Sequence, residues 1–95
     1  MNPITIEDKA AEEILNIFNT KGIPSNYSLR IIAEGTGCAG INYRLGFDEK
    51  DDEDLQYKIN NVPVILKKKD FMHVIGIKVG FLDTAETRGF IFKKD

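Results

Sequence analysis

The segment Tyr27-Ser28-Leu29-Arg30-Ile31-Ile32-Ala33-Glu34-Gly35-Thr36-Gly37-Cys38-Ala39-Gly40-Ile41-Asn42-Tyr43-Arg44-Leu45-Gly46-Phe47 decides the fold. Its first part alternates, with Tyr27, Leu29, Ile31 and Ala33 on one face. Its last part alternates again, with Ile41, Tyr43, Leu45 and Phe47 on one face. Between them, Gly35 to Gly40 holds three glycines in six residues. Two runs of period two about a glycine-rich loop predict a β-hairpin.

Upstream, the period is helical. Ala10, Ala11, Ile14, Leu15, Ile17 and Phe18 fall on one side, and Glu12, Glu13, Asn16 and Asn19 on the other. The predicted helix runs over residues 6–21, with Thr5 and Asp8 as an N-terminal capping pair. Lys21 lies in its last turn, Gly22 terminates it, and Pro24 forbids continuation.

Downstream, Asp48 to Asp54 is acidic at six of seven positions and reads as a solvated, mobile connection. Leu55–Ile59 and Val62–Leu66 form a second predicted hairpin about Asn60-Asn61, which tolerate positive φ. Pro63 belongs at an edge or a strand start. A short helix is expected over 70–75, closed by Gly76, then a strand with Ile77, Val79 and Phe81 on one face. A polar turn over 83–88 leads to a last strand at Gly89-Phe90-Ile91-Phe92. The expected class is α+β: mostly antiparallel β-sheets with one N-terminal helix and one short helix, in a single domain over 1–95.

The chain has 95 residues and a net charge of −2, which argues against a nucleic-acid binder or a protein held on anionic lipid. No apolar run is long enough to span a bilayer, and the first residues do not read as a signal peptide. A single cysteine offers no internal disulfide, so the cytoplasm is the expected compartment.

Neither a paired-cysteine motif nor a His-x-x-x-His pair is present, which argues against structural zinc within one chain. Gly35 to Gly40 spells G-x-G-x-x-G, but it lies between strands, where no helix N-terminus can hold a phosphate. Cys38 is the candidate for chemistry. Gly37, Ala39 and Gly40 leave its sulfur unshielded, and glycine backbone can aim N–H groups at a thiolate and favour metal binding. The same residues also suit a small packing side chain in a tight turn. His73 reads as a half-buried helix residue and Asp83 as a turn residue. Arg30 and Arg44 are expected on exposed strand faces, free to pair with the acidic run.

Ile4-Thr5-Ile6 with Ala10 and Ile14 resembles the opening of HesB/IscA-type iron–sulfur carriers. Leu29-Arg30-Ile31, then Gly37-Cys38-Ala39-Gly40-Ile41-Asn42-Tyr43, resembles that family's first cysteine motif, and Val62-Pro63-Val64 and Gly89-Phe90-Ile91-Phe92 its later strands. The resemblance spans nearly the whole chain and implies a HesB-like domain that binds iron or an iron–sulfur cluster. It implies Cys38 as the metal ligand, with Gly37 and Gly40 lining the cofactor site. Family members use three cysteines, one in this loop and two in a C-terminal C-G-C. Only the first has a counterpart here, and Lys93-Lys94-Asp95 stands where the family runs on toward that pair. Lys67 and Gly80 replace residues that tend to be aspartate, departures expected at loop positions and harmless to the fold.

A cluster needs about four ligands of thiolate class, and one chain supplies one cysteine. A symmetric dimer would place two Cys38 sulfurs, with the rest coming from small thiols, a partner, or His73 or Asp83. The resemblance therefore implies a non-enzymatic carrier or accessory factor acting with assembly or recipient proteins. The alternative is an interaction module on the same fold with no cluster. A redox thiol ranks last, because no resolving cysteine is present.

Overall fold

A computed structural model describes residues 2–35 and 41–94. Strand β1 (Thr5–Ile6) leads into helix α1 (Asp8–Thr20), followed by β2 (Tyr27–Glu34) and β3 (Asn42–Glu49). Next come β4 (Asp54–Ile59), β5 (Val62–Lys67) and a 3-10 turn at Lys68–Asp70. Helix α2 (Phe71–Val74), β6 (Ile77–Asp83) and β7 (Arg88–Lys94) complete the order.

The three expected hairpins, β2–β3, β4–β5 and β6–β7, are all antiparallel. They are assembled into two sheets by two parallel contacts, β2 with β5 and β1 with β6. The four-stranded sheet has the order β3-β2-β5-β4 and the three-stranded sheet the order β1-β6-β7. Alternation sorts the side chains of the larger sheet. Leu29, Ile31, Val62, Val64 and Leu66 point inward and are buried against Ala10, Ala11 and Ile14 of α1 and Ile77 and Val79 of β6. Phe18 of α1 meets Phe47 of β3 edge-on, with ring centroids 4.9 Å apart.

The turn chemistry is as expected. Gly22 ends α1 with φ +62°, and Asn60 and Asn61 take φ of 51° and 67° at the β4–β5 turn. Pro63 is the second residue of β5, just before the residues that pair with β2, so its missing N–H interrupts no bond to that strand.

Four expectations change. Thr5 does not cap α1: it lies in β1, in register with Lys78, and Glu7 precedes the helix without a side-chain capping bond. The acidic run is not simply a solvated connection: Asp48 and Glu49 end β3, and Asp54 opens β4 and is buried. Arg30 is buried as well, while Arg44 is exposed as expected. Lys67 and Gly80 are strand residues, at the end of β5 and the middle of β6. A Cβ at Gly80 would meet the Glu7 carboxylate and lie 3.2 Å from Ile91 Cγ1, so glycine suits the close approach of β6 to both.

Candidate functional site

Cys38, Gly37 and Gly40 lie outside the described residues, which include the two roots of their loop. On one side β2 ends at Glu34, and Gly35 turns away with φ +84°. On the other, β3 begins at Asn42, in register with Glu34. Arg44 Nη2 lies 2.9 Å from Glu34 Oε1 across the root, a solvent-exposed ion pair of small energetic weight.

Tyr43 fixes the returning root more firmly. Its ring packs against Phe92 of β7 at 5.6 Å, and its hydroxyl donates to the His73 carbonyl oxygen at 2.7 Å. Lys94 Nζ donates to the same oxygen at 3.2 Å. One carbonyl at the C-terminal end of α2 thus gathers the start of β3, α2 and the end of β7. Here the structure separates the two auxiliary ligands considered from sequence. His73 lies on α2 with an exposed side chain, not half-buried, and its backbone is tied to the residue that roots the loop. Asp83 is at the far end of β6: Ile77 pairs with Lys94, whereas Asp83 pairs with Arg88, six strand residues or roughly 20 Å away. Arg88 Nε lies 3.6 Å from its carboxylate. Among the described residues, no three His, Cys, Asp or Glu side chains are grouped to hold a metal ion.

A charged cluster that periodicity did not reveal occupies the outer face of the four-stranded sheet. Arg30 Nη1 and Nη2 each donate to one Asp54 carboxylate oxygen at 2.7 Å. Arg30 Nε donates to Asp48 Oδ2 at 3.2 Å, and Nη2 also reaches the Glu49 carbonyl oxygen at 3.2 Å. The Asp51 N–H donates to Asp54 Oδ2 at 2.9 Å, and Lys67 Nζ bonds the Asp51 carboxylate. The Arg30 hydrogen bonds hold the Asp54 carboxyl at about 2, against the opposing effect of burial. Asp54 in turn raises Arg30, while Lys67 lowers Asp51 and is itself raised. The signal available in sequence was an arginine flanked by Leu29 and Ile31, facing an acidic run long enough to fold back over it.

These features lie in a fold of known kind. The family model for iron–sulphur cluster biosynthesis matches residues 2–95, and the chain belongs to that family. The provisionally named iron–sulfur cluster insertion protein ErpA of Herminiimonas arsenicoxydans is 27% identical over 93 residues, covering 97% of this chain and 79% of its own. A crystal structure of Escherichia coli SufA, described as involved in biosynthesis of iron–sulfur clusters, superposes with a TM-score of 0.78 at 24% identity, covering 96% of this chain and 79% of its own. A structure of IscA with a [2Fe-2S] cluster gives a TM-score of 0.73 at 16% identity, covering 96% and 81%. These last two likenesses establish the HesB/IscA-type α+β fold.

Proposed function

We propose that this chain is a non-enzymatic carrier or accessory factor in iron–sulfur cluster assembly, a single domain that takes iron or a shared cluster on Cys38 as cargo. The observation that carries the reading is the family match over residues 2–95, in a chain whose single cysteine stands in the G-C-x-G loop between β2 and β3. Gly37 and Gly40 would let backbone N–H groups approach the cargo. The names of the relatives point the same way: ErpA for insertion, SufA for biosynthesis, IscA with a bound [2Fe-2S] cluster.

The single thiolate defines the form of the cargo site. With about four ligands needed and one cysteine in these 95 residues, the reading takes the remaining ligands from assembly or recipient proteins, a second copy or small thiols. A carrier completed in this way releases its cargo by ligand exchange and needs no acid–base chemistry of its own. The cytoplasm is the compartment consistent with a free thiol of this kind. Among the described residues no helix is long and apolar enough to cross a membrane.

Anaerobic reconstitution with iron, sulfide and glutathione tests the reading. Sulfur-to-iron charge-transfer absorption is expected in the wild type and its loss in Cys38→Ala. Equal, colourless spectra for the two would leave the interaction-module reading in its place.

A further inference from the structure

The most exposed large apolar side chains on the described surface are Met72, at 74% exposure, and Ile75, at 41%, three residues apart at α2. Beside them lies an open groove of about 340 Å³ walled by Asn2, Pro3, Tyr57, Phe71, Ile75 and Gly76. Gly76 shapes its floor, with φ +89° and its N–H donating to the Pro3 carbonyl oxygen at 2.7 Å. None of the lining residues carries a formal charge on its side chain.

Three exposed lysines, Lys68, Lys69 and Lys94, stand before and beside α2. Lys68 and Lys69 lie in the 3-10 turn that leads into α2. Lys94 is held at the other end of α2 by its bond to the His73 carbonyl. Asp70, the nearest carboxylate in sequence, is buried. Asp51 is occupied by Lys67, whereas Glu53 is exposed and its backbone carbonyl accepts from the Lys68 N–H, so one carboxylate stands beside these lysines. This charge pattern selects among occupants. Two copies meeting through this face about a twofold axis would bring like lysine sets together, a repulsive arrangement. A segment carrying carboxylates around a bulky apolar side chain complements both the groove and its rim.

We propose that the α2 face is a docking surface for a partner protein, and that the partner inserts an apolar side chain of an acidic segment into the groove beside Ile75 while its carboxylates meet Lys68, Lys69 and Lys94. The inference goes beyond the carrier reading and holds whether or not Cys38 takes iron. The bond from Tyr43 to the His73 carbonyl sets this face next to the root of the loop.

The test uses the full chain and a fluorescein-labelled peptide of roughly twelve residues, with a Leu-Phe pair flanked by glutamates, and a control with lysine for glutamate. Fluorescence anisotropy and methyl NMR are read together. Saturable binding is expected, with shifts at the Met72 and Ile75 methyls but not at Leu82, which is also exposed, and with affinity falling as salt rises. Ile75→Ser and the double variant Lys68→Glu/Lys69→Glu should each weaken binding about tenfold or more. Equal binding of the lysine control, shifts without preference for α2, or unchanged affinity in both variants would overturn the proposal. So would a wild-type dimer in sedimentation that Ile75→Ser dissociates, since the occupant would then be a second copy.

Discussion

Arg30 and Asp54, one from an inner strand and one from the first position of an edge strand, face each other through two parallel 2.7 Å hydrogen bonds. Both side chains are largely removed from water, at 8% and 0% exposure. A planar guanidinium bonded at both ends of a carboxylate is the geometry in which a buried pair can recover its desolvation cost. Removing one partner abandons the other charge. Asp54→Ala is therefore expected to lower unfolding free energy by about 3 kcal/mol, read as a falling urea midpoint at unchanged slope. Replacing the pair by Leu at both positions should recover most of that loss. A double variant no more stable than Asp54→Ala would show that the pair contributes more than charge compensation.

The same pair predicts the acid limb of stability. Asp54 titrates at about 2 in the folded chain, against 3.8 for an unperturbed aspartate. A lowered folded-state value favours the native form wherever the carboxylate is ionised. The contribution is complete above roughly pH 4 and disappears as pH falls toward 2, amounting to about 2 kcal/mol. Asp51, lowered by Lys67 at the surface, acts with the same sign. Lys67 is raised, so its share is present below its ordinary value and fades only in strong alkali. Urea titrations between pH 5 and pH 2 should show a steeper loss in the wild type than in Asp54→Asn, which has no carboxylate to protonate there. Parallel curves would mean that other groups set the acid limb.

Much of this architecture was legible because local rules agreed with it. Period two gave the three hairpins, Asn60-Asn61 and Gly22 announced their backbone signs, and Leu29-Arg30-Ile31 with Gly37-Cys38-Ala39-Gly40 marked the family. What failed was non-local. Strand β1 has two residues and exists through its parallel pairing to β6, which no local pattern encodes. Arg30 alternates outward like a surface residue, yet the chain from Asp48 to Asp54 folds over it and buries it. Tyr43 could be read as an inward strand residue, but its role as the tie between loop root, α2 and β7 depends on a backbone carbonyl thirty residues away. Cys38 could be singled out by its neighbours. Its surroundings could not, since they depend on contacts that no local pattern encodes.

Two strand glycines should respond in opposite senses to alanine. Gly46 on β3 has nothing within 4 Å of a built Cβ and no positive φ, so Gly46→Ala removes unfolded-state entropy at no steric cost. A gain of about 0.5 kcal/mol is expected. At Gly80 the added methyl displaces the Glu7 carboxylate, which can swing aside, and presses on Ile91 Cγ1, which is held in the β6–β7 pair. Gly80→Ala should cost about 1 kcal/mol. Thermal melts of the two variants and the wild type decide it, and a stabilised Gly80→Ala would show that Ile91 repacks freely.

The β4–β5 turn separates backbone preference from side-chain bonding within two adjacent residues. Asn60 and Asn61 both sit at positive φ, where glycine is at least as comfortable. Among the described residues the Asn61 side chain makes no hydrogen bond, so Asn61→Gly should leave stability within about 0.5 kcal/mol of wild type. Asn60 does more. Its Nδ2 donates to the Ile6 carbonyl at 3.0 Å and to Asp8 Oδ1 at 2.9 Å, joining this turn to the junction of β1 and α1 across more than fifty residues of chain. Asn60→Gly keeps the turn and severs that tie, which should cost about 1–2 kcal/mol. Hydrogen exchange gives the sharper reading: protection should fall at the start of α1 in Asn60→Gly and stay unchanged there in Asn61→Gly. Equal loss of protection in both would mean that turn geometry, not the Asn60 amide, holds the start of the helix in place.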